Sequence, residues 1–126
     1  MRIWLCDDEE VERSYLAALV EEWAKARGIP LQLCVFSGAE ALLFAQNGRP
    51  QADLLLLDIQ MGPLDGITLA RSIRQTDTRL EIVFITGFPD YMAEGYDVAA
   101  LHYLMKPVGQ DKLFPVLDRA RQRLQA

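Results

Sequence analysis

The segment ADLLLLDIQMGPLDG, residues 52–66, decides the fold of this chain. Ala52–Leu57 is almost wholly apolar and stops at Asp58, which is typical of a strand buried on both faces at the centre of a sheet. Gly62-Pro63 then marks a loop, and the apolar spacing of Ile67–Ile73 predicts a helix. A strand that is covered on both faces and followed by a helix indicates an α/β fold with a parallel sheet.

The same alternation of strand and helix runs through the rest of the 126 residues. Apolar runs predict four more strands, at Ile3–Cys6, Leu31–Phe36, Ile82–Ile85 and Tyr103–Met105. Helical patterns run from Val11 to Gly28, from a capping box at Ser37 toward Gly48, briefly from Pro89, and finally to about Leu124. Pro115 would bend the last helix or delay its start. We therefore predict one domain, residues 1–126, with a flavodoxin-like doubly wound (βα)5 fold and a five-stranded parallel sheet of order 2-1-3-4-5.

Composition excludes several classes of function. The net charge of −5 argues against direct nucleic-acid binding, and the basic cluster at 119–123 is better suited to a helix C-terminus. No apolar stretch is long enough to span a membrane, and the N-terminus turns acidic too early for a signal peptide, so we expect a cytoplasmic protein without membrane contact. Cys6 and Cys34 lie in apolar runs and are expected to be buried and reduced.

Polar side chains follow four of the predicted strands at the points where those strands end: Asp7-Asp8, Asp58, Thr86 and Lys106. Carboxyl ends of parallel strands meet at one edge of the sheet, which is where ligands bind in such folds. Two like charges about 4 Å apart repel by roughly 4 kcal/mol at an effective dielectric of 20, and Mg²⁺ with carboxylate, water and phosphate ligands removes that cost. A carboxylate nucleophile, a metal, a lysine and a hydroxyl are the parts that phosphoryl transfer needs.

Each of these residues has an ordinary structural interpretation when it is taken alone. Asp58 could simply begin a loop, Thr86 could end a strand, and Lys106 could be a solvated surface lysine. Glu9 and Glu10 are assigned only to an acidic first helical turn, where carboxylates favour the helix dipole. His102 receives no role. The coincidence of all the groups at carboxyl ends of strands is what favours a functional site.

Over essentially its whole length the sequence resembles the receiver domain of bacterial two-component response regulators. The resemblance rests on segments whose order and spacing match, namely Asp7-Asp8, Asp58-Ile-Gln-Met61, Asp65-Gly66, Thr86-Gly87 and Lys106-Pro107. Such a domain is a phosphoacceptor switch rather than an enzyme, and its implied partner is a sensor histidine kinase.

The resemblance implies a role for each matching residue. Asp58 would accept the phosphoryl group from the phosphohistidine of the kinase. Mg²⁺, for which Mn²⁺ can substitute, would be bound directly by Asp8, Asp58 and the backbone carbonyl of Gln60, with Asp7 acting mostly through water. Lys106 would contact the phosphoryl group and Thr86 would move toward it. Tyr103 matches the family's switch aromatic, which alternates between outward and inward rotamers; from the sequence pattern alone it could equally be a half-buried strand residue.

One segment departs from the family pattern. Gly62 stands where the family often has proline, with Pro63 following, so we expect a local change in that loop. Gln60 and Phe88 match positions that tune dephosphorylation in this family.

Segments between Thr86 and Pro107 resemble receivers paired with LytTR-type DNA-binding output domains. The resemblance implies a homodimer through the fourth helix, fifth strand and fifth helix when the chain is phosphorylated, and contact with DNA only through an output domain beyond this chain. We therefore expect the sequence to be a piece of a longer protein, although a stand-alone receiver remains an alternative.

Three other functions compete with this interpretation. A phosphohydrolase with an Asp nucleophile would carry a second Asp two residues after it, where Gln60 stands here. Its nucleophile would also follow the first strand, whereas Asp58 follows the third. A flavin or nucleotide binder would need a glycine-rich phosphate loop, and neither GxGxxG nor GxxxxGK[ST] occurs. A phosphorylation-dead interaction domain would lack acceptor residues that are present here.

Overall fold

The computed structural model describes residues 1–46 and 52–125. The chain forms β1 (Arg2–Cys6), α1 (Glu10–Arg27), β2 (Gln32–Phe36), α2 (Ala39–Gln46), β3 (Leu54–Leu57), α3 (Gly66–Arg74), β4 (Glu81–Thr86), a 3₁₀ turn (Pro89–Tyr91), α4 (Met92–Asp97), β5 (His102–Met105) and α5 (Gln110–Gln125). All the strands are parallel, in the order β2-β1-β3-β4-β5. The predicted doubly wound fold and strand order are confirmed.

Two apolar layers cover the two faces of the sheet, as the unbroken apolar runs predict. Ile3 and Leu5 point to the face covered by α1 and α5, where Trp23 and Leu117 are fully buried. Trp4 and Cys6, at the alternate positions of β1, point to the opposite face with α2 and α3. The four leucines of β3 are all buried, so this strand is the centre of the core.

The helix predictions hold with small differences in bounds. Helix α1 ends at Arg27 and is capped by Gly28, whose left-handed φ of 64° suits a glycine at this position. Helix α2 begins at Ala39, two residues after Ser37, and its predicted end at Gly48 lies outside the described residues. Pro115 does lie inside α5, but it does not delay the start of the helix at Gln110. Within the described ranges, none of the helices is both long and apolar enough to cross a membrane.

The prediction for the cysteines is half wrong. Cys6 is fully buried, and this burial, with the negative charges of the neighbouring Asp7 and Asp58, raises the pKa of its thiol to about 12. Cys34 is exposed instead. It lies on β2, which is the edge of the sheet and is mostly exposed or half-buried along its length. An apolar run reports strand propensity, but it does not tell an edge strand from a central one.

A polar cluster joins the two long helices on one face. Asp118 of α5 accepts hydrogen bonds from Trp23 Nε1 at 2.9 Å and from Arg27 Nε at 2.6 Å, and the Arg27 guanidinium lies 5.2 Å from the centre of the Phe114 ring. The Arg27 hydrogen bond is the main reason that the pKa of Asp118 lies below its ordinary value. The carboxylate form of Asp118 therefore stabilises the fold.

We expect Asp118→Asn to lower the free energy of unfolding at pH 7 by roughly 1 kcal/mol, because the group is partly solvated. A depressed folded-state pKa gives stability that is present above the ordinary carboxyl pKa of about 3.9 and is lost as the pH falls through the lower folded value. Urea unfolding at pH 7 and pH 3 measures the difference, with the exposed Glu22→Gln on α1 as control. An equal loss at both pH values would contradict the charge-based account.

Candidate functional site

Continued sheet pairing positions the polar groups that follow the strands. Cys6 of β1 is paired with Leu57 of β3, and the Asp58 amide still donates to the Cys6 carbonyl at 3.0 Å, one residue beyond the end of β3. In the same way the Lys106 amide donates to the Thr86 carbonyl at 2.9 Å. The backbone therefore holds these residues at fixed registers on one edge of the sheet.

The side chains of Asp7, Asp58 and Lys106 meet at this edge, as predicted. Lys106 Nζ lies 2.9 Å from Asp7 Oδ2 and 3.2 Å from Asp58 Oδ2. Both carboxylates are almost completely buried, with side chains 1% and 5% exposed, and the lysine is 13% exposed. One ammonium group thus faces two buried negative charges and offsets them only in part.

The remaining carboxylate oxygens are bound by backbone amides. Asp58 Oδ1 accepts from the Ile59 amide at 2.7 Å, and Asp7 Oδ1 accepts from the Glu9 amide at 2.9 Å. Arg13 on α1 donates to the Asp7 carbonyl at 2.9 Å. The two amide bonds orient both carboxylates before any ligand arrives, and the Arg13 bond holds the Asp7 backbone.

The pKa values reflect this crowding. Burial raises the pKa of Asp58, and the charge of Asp7 adds to the effect, while Lys106 and the Ile59 amide only partly offset it. Burial alone would lower the pKa of Lys106, but its hydrogen bond to Asp7 and the charge of Asp58 outweigh burial and raise it. Lys106 is therefore a fixed cation, whereas the Asp58 carboxylate is held at an energetic cost.

Carboxylate oxygens of Asp7, Asp8, Glu9 and Asp58 lie within 4.8 Å of one another. An all-oxygen donor set of this kind fits a hard divalent cation such as Mg²⁺. The buried pair belongs to Asp7 and Asp58, while Asp8 and Glu9 are exposed at the mouth of the site.

Glu9 is the one residue of this cluster that sequence reasoning assigned elsewhere. Its Oε1 lies 3.7 Å from Lys106 Nζ with a side chain 67% exposed, at the residue preceding α1. The sequence signal for Glu9 is that it continues the acidic run 7–10 begun by the site residues Asp7 and Asp8, but a carboxylate at the start of a helix is equally explained by the helix dipole.

The two predicted switch residues lie on neighbouring strands. Thr86 is fully buried, and its Oγ1 accepts from the Phe88 amide at 3.3 Å. The Tyr103 ring packs against Phe84 with 5.9 Å between ring centres, and its hydroxyl donates to the Phe88 carbonyl. Both side chains therefore contact the same loop after β4.

Two glycines follow Asp58, Gly62 in the loop and Gly66 at the start of α3, and each is required for a different structural reason. Gly62 has a φ of 87°, which proline cannot adopt, so the departure from the family pattern does change the backbone locally. At Gly66 an added Cβ would lie 2.0 Å from the backbone oxygen of Asp58. Gln60, two residues before Gly62, is exposed, and its carbonyl remains a predicted metal ligand.

Comparison with known proteins points to one family. A model of the response regulator receiver domain matches residues 3–118. The positive alginate biosynthesis regulatory protein of Pseudomonas aeruginosa is 32% identical over 120 residues, which are 95% of this chain and 47% of that protein. The sensory transduction protein LytR of Streptococcus agalactiae is 32% identical over 123 residues, which are 97% of this chain and 48% of that protein.

Solved structures agree with the sequence matches. The response regulatory domain of protein mrkE from Klebsiella pneumoniae superposes with a TM-score of 0.85 at 25% identity, covering 100% of both chains. The present chain spans about half the length of the curated relatives it matches.

We expect Gly66→Ala to reduce the free energy of unfolding by about 2–4 kcal/mol, because the new methyl group must displace backbone at Asp58. The control is Gly38→Ala, where an added Cβ meets open space, and this variant should stay within about 1 kcal/mol of the parent. Urea unfolding of the three proteins measures both effects. Equal midpoints for the two variants would contradict the close approach.

Asp58→Asn should raise the midpoint of thermal unfolding at pH 7.5 without divalent cations, by roughly 2–5 °C. A raised folded-state pKa means that the carboxyl group favours folding below its ordinary pKa and loses that contribution as the pH rises through the folded value. The gain should therefore shrink as the pH is lowered toward 4, as followed by circular dichroism. A less stable Asn variant at pH 7.5, beside an unchanged control Glu22→Gln on the exposed face of α1, would show that the charge is not destabilising.

Proposed function

The chain belongs to the receiver domains of two-component response regulators, and we propose that Asp58 is its phosphoacceptor. Its curated relatives are LytTR-type regulators. The observation that carries the assignment is the buried Asp58 carboxylate held 3.2 Å from Lys106, within a cluster of carboxylates that fits a divalent cation. The implied phosphodonor is the phosphohistidine of a sensor kinase.

The transfer needs an oxygen nucleophile that is fixed in place. One oxygen of Asp58 attacks the phosphorus of phosphohistidine, an O–P bond forms, and the P–N bond breaks with its electron pair passing to the imidazole nitrogen. The Ile59 amide binds Oδ1 and Lys106 approaches Oδ2, so the carboxylate is oriented before the donor arrives. Lys106 then contacts the charged oxygens of the transferred group.

The residues that would hold Mg²⁺ are Asp8, Asp58 and the carbonyl of Gln60, with Asp7 acting through water. When bound, the cation neutralises charge on the phosphoryl oxygens. The fourth carboxylate, on Glu9, adds negative charge at the mouth of the site and makes the cluster more attractive for a cation. The arrangement supports stoichiometric phosphorylation and self-hydrolysis rather than catalytic turnover of a substrate.

Signalling follows from the neighbours of Asp58. Thr86 moves toward the new phosphoryl group and Tyr103 follows, since both now contact the loop at Phe88. To shift a population from 1:99 to 99:1, the phosphoryl group must favour the active state by about 5.5 kcal/mol. Charge-assisted hydrogen bonds from Lys106 and Thr86 to the phosphoryl oxygens would contribute to this free-energy difference, because such bonds are roughly twice as strong as neutral ones.

The surface that reports this change is the face made by α4, β5 and α5. Tyr96 and Met92 are exposed there at 85% and 52%, and a cavity of about 410 Å³ between α4 and α5 is lined by Tyr96, Arg119 and Arg123 among others. We propose that two phosphorylated copies pair through this face. DNA binding would then belong to a LytTR-type output domain beyond this chain.

Incubation with Mg²⁺ and acetyl phosphate should add one phosphoryl group, about 80 Da, to the intact mass. The gain should disappear in Asp58→Asn and in EDTA, and persist in Asp97→Asn, which removes an exposed carboxylate at the end of α4. A gain that survives Asp58→Asn would assign the acceptor elsewhere. The absence of both phosphorylation and beryllofluoride binding in the parent would favour a phosphorylation-dead interaction domain.

A further inference from the structure

Helix α4 is short and ends in a costly conformation. It has six residues, Met92–Asp97, and Ala99 just after it has a φ of 55°. This left-handed region is unfavourable for any residue with a Cβ, and glycine is the usual choice there. The C-terminal end of α4 therefore needs contacts from elsewhere to keep its shape.

Arg74, the last residue of α3, provides such contacts. Its Nε donates to the Val98 carbonyl at 2.8 Å, and its Nη2 donates to the Ala99 carbonyl at 3.4 Å. Its Nη1 donates to the Asp77 carbonyl at 3.2 Å, which ties the guanidinium to the turn after α3. A cation on the free carbonyls of a helix C-terminus satisfies acceptors and complements the helix dipole.

The other end of α3 lies at the phosphoacceptor. Gly66 begins the helix, its amide donates to the Ile59 carbonyl at 2.6 Å, and its α-carbon faces the Asp58 carbonyl too closely for a Cβ to fit. The nine residues from Gly66 to Arg74 span about 13 Å. Buried side chains along α3 pack into the core, so one continuous packed helix links Gly66 to Arg74.

The position of α4 also determines whether Tyr103 fits beneath it. At Gly95, in the middle of α4, an added Cβ would lie 3.2 Å from the Tyr103 ring and 3.3 Å from Phe84. Gly95 itself is buried. The Tyr103 position therefore depends on where the C-terminal half of α4 is held.

We propose that Arg74 is a positioning residue that clamps α4 to α3, and so gives Asp58 a second connection to Tyr103, through α3 and α4, beside the connection through Thr86. The role in switching rests on the proposed function. The clamp itself does not, because it is a property of the protein without any phosphoryl group.

Hydrogen exchange in the free protein tests the clamp. The amides of Val98, Ala99 and Ala100 bond to carbonyls of α4, and in Arg74→Met they should exchange about tenfold faster. Arg71→Met, exposed on the same helix, is the matched control. Arg74→Lys keeps the charge but loses the several donors of the guanidinium group, so its exchange rates should lie between those of the parent and Arg74→Met. This variant also tests the clamp if Arg74→Met fails to fold.

Ala99→Gly gives an independent check, because glycine removes the cost of the left-handed conformation. Combined with Arg74→Met, it should restore part of the lost protection. Exchange that is unchanged at these three amides, or that rises equally throughout the chain, overturns the clamp.

Titration with beryllofluoride in Mg²⁺ tests the connection to Asp58. In our proposal the bound phosphoryl analogue favours the arrangement with Tyr103 beneath α4. Loosening α4 lowers the populated fraction of that arrangement, so the dissociation constant for beryllofluoride should rise at least about threefold in Arg74→Met. Equal affinities of parent, Arg74→Met and Arg71→Met would overturn the second connection. Failure of the parent itself to bind would instead remove the proposed function and leave the exchange result standing.

Discussion

The Lys106 ammonium group between the buried carboxylates of Asp7 and Asp58 is the interaction on which the site depends. Parallel pairing places Asp7 and Asp58 one residue beyond the ends of the neighbouring strands β1 and β3, so the sheet itself forces the two carboxylates together. Lys106 reaches them from the end of β5, two strands away from β3. The carboxylate oxygens of Asp7 and Asp58 lie within 4.8 Å of each other, and two like charges about 4 Å apart repel by roughly 4 kcal/mol at an effective dielectric of 20. A single lysine reduces this repulsion without abolishing it, and burial, together with the charge of Asp7, keeps the pKa of Asp58 above its ordinary value.

That residual cost connects stability to function. A group whose charged form is held unfavourably gains most from a ligand that neutralises it, whether a divalent cation or a phosphoryl group with its own counterions. The backbone around Asp58 leaves little freedom to relax, because Gly66 packs against its carbonyl and Ile59 binds its side chain. A change of charge at Asp58 is therefore passed to neighbours through the loop at Phe88 and, in our proposal, through α3.

Sequence reasoning predicted what regular backbone geometry dictates. The apolar runs identified the strands, and the parallel arrangement implied that Asp7, Asp58, Thr86 and Lys106 end at one edge. It failed where a contact depends on side chains that are distant in sequence or on strand position. The exposure of Cys34 follows from β2 being an edge strand. The bonds of Arg74 to the end of α4 join residues 24 and 25 apart, and no periodic pattern reports them.

A crystal structure of the chain with Mg²⁺ and beryllofluoride tests the central claim most directly. The account predicts beryllium bound to a carboxylate oxygen of Asp58, the cation held by Asp8 and Asp58, and Lys106 Nζ turned from the Asp58 carboxylate toward a fluorine atom. Beryllofluoride bound elsewhere, or absent while Lys106 still bridges Asp7 and Asp58, would contradict it.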